Sequence, residues 1–247
     1  VTGRADRPES GGRDTGVMVV HPGAQNHLPD TRDIVSLATA VAGCRGCDLY
    51  RAAEPAVFGA GPTSARILLV GDQPGDDDLD AESWAGFAEP FAGHAGRLLD
   101  DALAAAGIDR HDVYRTTAVK HVRFDRAGRR RIRKKPSGSQ ITACRPWLLA
   151  ELAVVRPRVV VCLGATAAHS LLGADVRVAG RRGTILRLPE WLHVAGDPAV
   201  IVTIHPSAVL RAWTNQDDAF DSLVRDLRRA VGYAGETAPV SPADRCP

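Results

Sequence analysis

Four short apolar runs, each ending at glycine or in a polar cluster, constrain this chain more than any other feature. Ile67-Leu68-Leu69-Val70 runs into Gly71, Val113 to Val119 into Lys120 and His121, and Val200 to Ile204 into His205-Pro206-Ser207. The fourth, Arg158 to Gly164, leads into a short helical pattern over residues 165–172. Unbroken apolar stretches of this length are the signature of strands buried on both faces. Helical periodicity separates them: Ile34, Leu37, Ala38 and Val41; Leu98, Leu99, Leu103 and Ala106; Ile141, Cys144, Trp147, Leu148 and Leu152. A last helix is expected over 217–231, with Phe220, Leu223, Val224, Leu227 and Val231 in register. Thr31 is the expected cap of the first helix and Ser137 that of the third. Strands alternating with helices predict an α/β fold, a three-layer α/β/α sandwich around a central, mainly parallel four-stranded sheet. Residues 174–196 read as an excursion with a small β element around Thr184 to Leu188.

At 247 residues, 45% of them hydrophobic and 24% charged, the chain is long enough for one sizeable domain. That domain is expected over 29–233, between a mobile tail at 1–28 and a second tail at 234–247. A formal net charge of +2 selects no partner. No apolar run approaches a membrane span, and no signal-peptide core is visible, so membrane association is not expected. Five cysteines in a chain this long do not make a secreted disulfide scaffold. The expectation is a cytoplasmic monomer.

The turn Gly71-Asp72-Gln73-Pro74-Gly75 holds Asp72 and Gln73 at the carboxyl end of the first strand, the edge where open α/β sheets bind ligands. Its plainer reading is an ordinary polar turn. Gly43-Cys44-Arg45-Gly46-Cys47 is a CxxC, which suits a redox pair, half a zinc site or half an iron–sulfur site. Phe91 precedes a glycine-rich helix start and can project into a crevice or pack in the core. The most biased stretch holds eight cations in thirteen residues: Arg123, Arg126, Arg129, Arg130, Arg131, Arg133, Lys134 and Lys135. Gly128 interrupts it and Pro136 closes it, so a flexible, phosphate-contacting loop is expected rather than a helix. Strand ends of a parallel sheet share one edge, which lets Asp72, Gln73, Thr117, His205 and Ser207 converge. A carboxylate, an imidazole, a hydroxyl, an aromatic ring and a basic loop together suit a nucleotide flipped out of DNA.

The stretches CRGCDLYR (44–51), AVFGAG and SARILLVGDQPGD (within 56–76), PFAGHAGRLLDDAL (90–103), TTAVKH (116–121), RRRIRKKPS (129–137), ACRPWLLAEL (143–152), LGATAA (163–168) and HPSAVLR (205–211) carry a resemblance. In them the chain resembles the uracil-DNA glycosylase superfamily, specifically its iron–sulfur family 4 and the UdgX-like branch. The resemblance implies a uracil-DNA glycosylase fold, a DNA substrate and hydrolysis of an N-glycosidic bond in base excision repair. It implies that Phe91 stacks on the flipped base, with Gly71 and Thr117 also at the base. His205 would donate a hydrogen bond to the departing ring, and Ser207 would bond a phosphate. Asp72 would stabilise the cationic sugar or position a water, and Gln73 would contact the base or sugar. Arg129, Arg130, Arg131, Arg133, Lys134 and Arg211 would meet DNA. Cys44, Cys47 and Cys144 match ligands of a [4Fe-4S] cluster, with either His121 or Cys162 as the fourth and His121 favoured.

Three positions depart from the family pattern. Asp72 stands where the branch has glutamate, one methylene shorter. Thr117 replaces a base-reading asparagine, leaving a single donor. Arg133 occupies the register of the branch's covalent-capture histidine, and a guanidinium is a very poor nucleophile, so no covalent sugar adduct is expected. The competing expectation is a lesion- or single-strand-binding protein whose chemistry has decayed. A cluster- or zinc-bearing nucleotide-binding module is more distant, since it leaves Phe91 and His-Pro-Ser unexplained.

Overall fold

The computed structural model describes residues 20–30, 33–52, 54–79, 88–128 and 130–235. The four apolar runs form β1 (Ile67–Gly71), β2 (Val113–Thr117), β5 (Val159–Leu163) and β7 (Ala199–Thr203). They lie in the order β2-β1-β5-β7, all parallel. The excursion adds a fifth strand to the expected four: β6 (Ile185–Leu186) pairs antiparallel with the outer edge of β7. A second, two-stranded antiparallel sheet is made by β3 (Phe124–Ala127) and β4 (Arg130–Arg133).

Alternate residues of each central strand meet different helices. Ile67 and Leu69 of β1, Val159 and Val161 of β5 and Ile201 of β7 pack with α2 (His94–Ala105) and α7 (Gln216–Gly235). Leu68, Val70, Val160, Cys162, Val200 and Val202 pack with α3 (Gly138–Val155) and α4 (Ala165–Leu172). Every residue of these four strands is buried. Burial of each large apolar side chain contributes about 1.5–3 kcal/mol, which accounts for the unbroken apolar runs. The architecture is thus the three-layer α/β/α sandwich.

The helices start and stop for local reasons. α1 (Ile34–Val41) is capped by Asp33, whose carboxylate accepts from the Val35 and Ser36 N–H groups. The expected cap Thr31 lies outside the described residues. Asp33 takes the role because it directly precedes the first helical residue. Ser137 does cap α3, as half of a capping box completed by Gln140. α7 runs on to Gly235, past the expected end at 231, and Leu227 and Ala230 keep its apolar face against the sheet.

Two further expectations change. Within the tail foreseen at 1–28, residues 20–28 are described and dock on the protein. Ala24–His27 forms a 3-10 turn with Ala24 fully buried, and the Gly23 N–H donates to the Gly46 carbonyl at 2.9 Å. Gly46 permits this approach, because a Cβ there would stand 2.7 Å from the Ala24 nitrogen. The basic segment is a hairpin rather than a flexible loop. Phe124 supports it from within, carrying the guanidinium groups of Arg126 and Arg131 at 5.4 and 5.5 Å from its ring centre.

α3 joins the sheet to a satellite core built from α1, Phe58, Trp147 and the CxxC segment. Where the two cores meet, an ion pair is sealed inside. Lys120 Nζ and Glu151 Oε2 lie 2.6 Å apart, with side chains 1% and 0% exposed. Glu151 also accepts from Thr116 Oγ1 (2.8 Å), Tyr114 Oη (3.2 Å) and the Gly59 N–H (3.0 Å). Lys120 donates to the Thr117 carbonyl at 3.0 Å. Glu151→Ala strands that ammonium and is expected to destabilise the protein by about 3–5 kcal/mol in urea unfolding. Lys120→Met combined with Glu151→Leu should recover most of the loss. A single variant that costs less than about 1 kcal/mol would disprove the role given to the pair.

Candidate active site and metal centre

The carboxyl ends of β1, β2 and β7 open into one cleft of about 440 Å³. Asp72, Gln73, Phe91, Thr117, Arg133, Lys134, His205, Ser207 and Arg211 all line it, so the sequence-derived residues do converge. Phe91 lies on the cleft wall with its backbone in the left-handed region, at φ 66°. Its ring packs on the backbone of Gly71, where a Cβ would come within 2.6 Å of Cζ. Gly71 therefore does not face a ligand directly. It supports the Phe91 ring on the cleft wall.

The imidazole of His205 is stacked near Phe91, with ring centres 6.3 Å apart and planes 27° from parallel. His205 caps α6 (Pro206–Leu210): its Nδ1 accepts from the Ser207 N–H at 3.1 Å, and Ser207 Oγ lies 2.8 Å from it. The neutral ring thus carries its proton on Nε2. Burial lowers the His205 pKa; Asp72 opposes that shift, while Arg211 and Arg133 reinforce it. Asp72 lies against Gly164, where a Cβ would be 3.0 Å from Oδ1 and 3.1 Å from the His205 Cβ. Gly164, at φ 96°, meets both needs, the close approach and the left-handed backbone. Asp72 Oδ1 is buried and has no hydrogen-bond partner among the described residues. A buried oxygen left in that condition is costly, and it marks the place where a ligand group or a water would be held.

Two expected base contacts are otherwise engaged. Gln73 does not offer its amide to a ligand: Nε2 donates to the Lys134 carbonyl (2.9 Å) and Oε1 accepts from the Arg123 N–H (2.8 Å). It clamps both strands of the hairpin at their base, which places the cations over the cleft. Thr117 Oγ1 donates to the Val119 carbonyl at 3.0 Å, so only its lone pairs remain for a ligand. Of the basic residues, Arg133 donates to the Pro74 carbonyl and lines the cleft with Lys134 and Arg211. Arg131 is paired with Glu54 at 2.6 Å and points elsewhere. Arg130 is exposed on β4, and Arg129 lies outside the described residues. Sequence reasoning missed Asp78, whose carboxylate accepts from two backbone N–H groups in the cleft wall. In the chain it is one acid among several, and nothing local sets it apart.

Cys44, Cys47, Cys144 and His121 share a second, small cavity, closed on one side by Ala24. All three cysteines are buried and free. N–H groups are aimed at the sulfurs: Trp147 Nε1 lies 3.2 Å from Cys44 Sγ, and the Lys120 nitrogen 3.3 Å from Cys144 Sγ. Burial pushes the Cys144 thiol up to about 12 and the His121 imidazole down to about 4, so only a cation would hold Cys144 as a thiolate. Among the described residues no three donors are arranged to chelate one metal ion. A cluster in which each ligand takes a different iron does not require that. Cys162 is remote from this cavity, fully buried in the apolar core between Val160 and Val202.

A family model described as the uracil DNA glycosylase superfamily matches residues 58–228. The chain is 34% identical over 172 residues to a type-4 uracil-DNA glycosylase of Archaeoglobus fulgidus, covering 68% of this chain and 78% of that one. A type-4 uracil-DNA glycosylase of Thermotoga maritima is 35% identical over 174 residues, 70% of this chain and 81% of its own. A type-5 uracil-DNA glycosylase of Pyrobaculum aerophilum is 31% identical over 129 residues, 52% of this chain and 50% of its own.

The His205 environment makes a measurable statement. Its folded pKa lies below the ordinary 6.5, so acidification from 6.5 towards that lower value protonates the unfolded chain first, and stability falls as pH drops through this window. NMR titration of the ring should give a midpoint below 6.5. Asp72→Asn should lower it further, because the carboxylate that favours the imidazolium is gone. A midpoint at or above 6.5 contradicts the buried geometry.

Proposed function

Because the chain belongs to the uracil DNA glycosylase superfamily, we propose that it is a DNA repair glycosylase that hydrolyses the N-glycosidic bond of uracil or a related deaminated base. The observation that carries this reading is the convergence of Phe91, His205 and Asp72 on one cleft whose rim is the basic hairpin. Arg133, Lys134 and Arg211 supply phosphate contacts. The flipped base stacks on Phe91. As the bond from the base nitrogen to C1′ breaks, its electron pair leaves with the base. The Nε2–H of His205 then hydrogen-bonds to the base as it becomes an anion. A neutral donor suffices, in keeping with the lowered pKa. The Asp72 carboxylate faces the positive charge that grows on the sugar and orients a water. That water adds to C1′ and passes its proton through Asp72 to solvent, and the base anion takes a proton from solvent as it leaves, giving an abasic sugar and the free base.

Within the superfamily we place the chain in the iron–sulfur family 4 and its UdgX-like branch. A [4Fe-4S] cluster fits the donor set Cys44, Cys47, Cys144 and His121: three buried thiols and an imidazole kept neutral by burial, around one cavity. When bound there, such a cluster would cross-link α3, the CxxC and the segment after β2 through Cys144, Cys44, Cys47 and His121. It is a brace, and no step of the hydrolysis uses it. The branch's covalent capture is absent here. Arg133 donates to the Pro74 carbonyl and a guanidinium is a very poor nucleophile, so water is the nucleophile.

Incubation with uracil-containing single- and double-stranded oligonucleotides, then alkaline cleavage and denaturing electrophoresis, should show strand breaks and no denaturant-resistant protein–DNA band. Arg133→His should produce such a band. Intact DNA with a native-gel shift would instead support a binding protein that retains the fold without the chemistry. For the cluster, the purified protein should be brown and contain iron. Cys144→Ser and His121→Ala should lose it and Cys162→Ala should keep it. Zinc in place of iron, or loss of iron with Cys162→Ala alone, overturns the ligand assignment.

A further inference from the structure

Phe91 is held in the left-handed backbone region, at φ 66°, which a bulky side chain rarely adopts, so its surroundings must enforce it. Gly71 lies under its ring, and a Cβ on Gly96 would stand 1.6 Å from its carbonyl oxygen, so the loop is wedged between β1 and the first turn of α2. Packing limits where Phe91 can go, but it does not tie the loop to the turn that carries Asp72. A carboxylate does. Asp78 is 5% exposed, and its Oδ2 accepts from the Gly75 N–H while its Oδ1 accepts from the Ala92 N–H, each at 2.8 Å. One side chain thus binds the residue that closes the catalytic turn and the residue that follows Phe91. On the other flank, Glu89 is paired with the buried guanidinium of Arg115 on β2, two positions before Thr117. Arg110 bridges Glu89 and Asp100 behind it, at 3.5 and 2.9 Å.

We propose that Asp78 is a positioning residue for base binding: its two backbone hydrogen bonds hold the Phe91 ring in register with the Gly71–Gly75 turn before substrate arrives, with Glu89 and Arg115 securing the opposite flank. The inference rests on Phe91 being the base-stacking ring. Asp78 touches no reacting atom. A ring that stacks on the base in both ground and transition states contributes uniform binding, so loosening it acts on KM before kcat.

Two measurements test this. Hydrogen exchange followed by mass spectrometry on the free protein should show faster exchange in Asp78→Ala over both 72–76 and 89–93, with the sheet unchanged. Unchanged exchange at either segment overturns the staple, and this holds whether or not the protein excises uracil. In excision kinetics, Asp78→Ala should raise KM about tenfold while kcat moves less than about threefold. Glu89→Gln should show the same split in smaller measure. In a Phe91→Ala background, Asp78→Ala should add little, because the ring it positions is gone. Equal effects in both backgrounds, or a fall confined to kcat, would show that Asp78 serves general stability or Asp72 instead. Should Asp78→Ala not fold, Asp78→Asn keeps one acceptor oxygen and runs through the same cycle. Absence of excision by the unmodified protein would sink the glycosylase reading and leave the exchange result to judge the staple.

Discussion

The pairing of Lys120 with Glu151 is the interaction on which the rest of the molecule depends. An ion pair taken wholly out of water is weak as a source of stability, because the desolvation of both charges offsets most of their attraction. Its value lies in geometry. Glu151 sits in the middle of α3, and its oxygens collect the hydroxyls of Tyr114 and Thr116 and the N–H of Gly59. Lys120 reaches the Thr117 carbonyl at the base cleft, and its own N–H points at Cys144. One buried pair therefore fixes where β2 ends, how α3 lies across it, and where the cysteine cavity stands relative to the cleft. With both charges buried, no rearrangement of these parts is possible without exposing an unpaired ion.

From that fixed edge the cleft is assembled by backbone contacts. Gly71 and Gly164 remove side chains where Phe91 and Asp72 must approach. Gln73 gives up its amide to hold the hairpin, converting a residue expected to touch substrate into the link between the turn after β1 and the basic hairpin. Thr117 similarly satisfies itself within its own turn. On the glycosylase reading proposed above, base recognition relies on shape, on the Phe91 ring and on His205 more than on a dense array of side-chain donors. Selectivity built that way discriminates by fit rather than by leaving polar groups unpaired, which is the weaker of the two strategies.

Strands were legible because burial on both faces leaves an unbroken apolar signal, and the convergence of their ends follows from parallel topology alone. Cys162 was readable in the same way: three valines before it announce a core strand. The hairpin was not readable. Its residues are exposed with no alternation, and what orders it is a single phenylalanine beneath two guanidinium groups and a clamp from Gln73, fifty residues earlier in the case of Arg123. Asp78 was hidden for a related reason, since its partner at Ala92 is fourteen residues away. The docking of Ala24 escaped notice because it depends on the missing side chain of Gly46, which carries no periodic signal. Long-range hydrogen bonds and absent atoms are the information that a one-dimensional pattern does not hold.

The short turn Ala24–His27 has a consequence for anyone handling the protein. Ala24 forms part of the wall around the cysteines, and His27 accepts from the Arg45 N–H inside the CxxC at 3.4 Å. A shortened chain beginning at residue 29 would keep Cys44, Cys47, His121, Cys144 and every residue of the cleft. It would also open that wall and give solvent a direct path to the three buried thiols. The segment expected to be a mobile tail is part of the wall that closes the cysteine cavity.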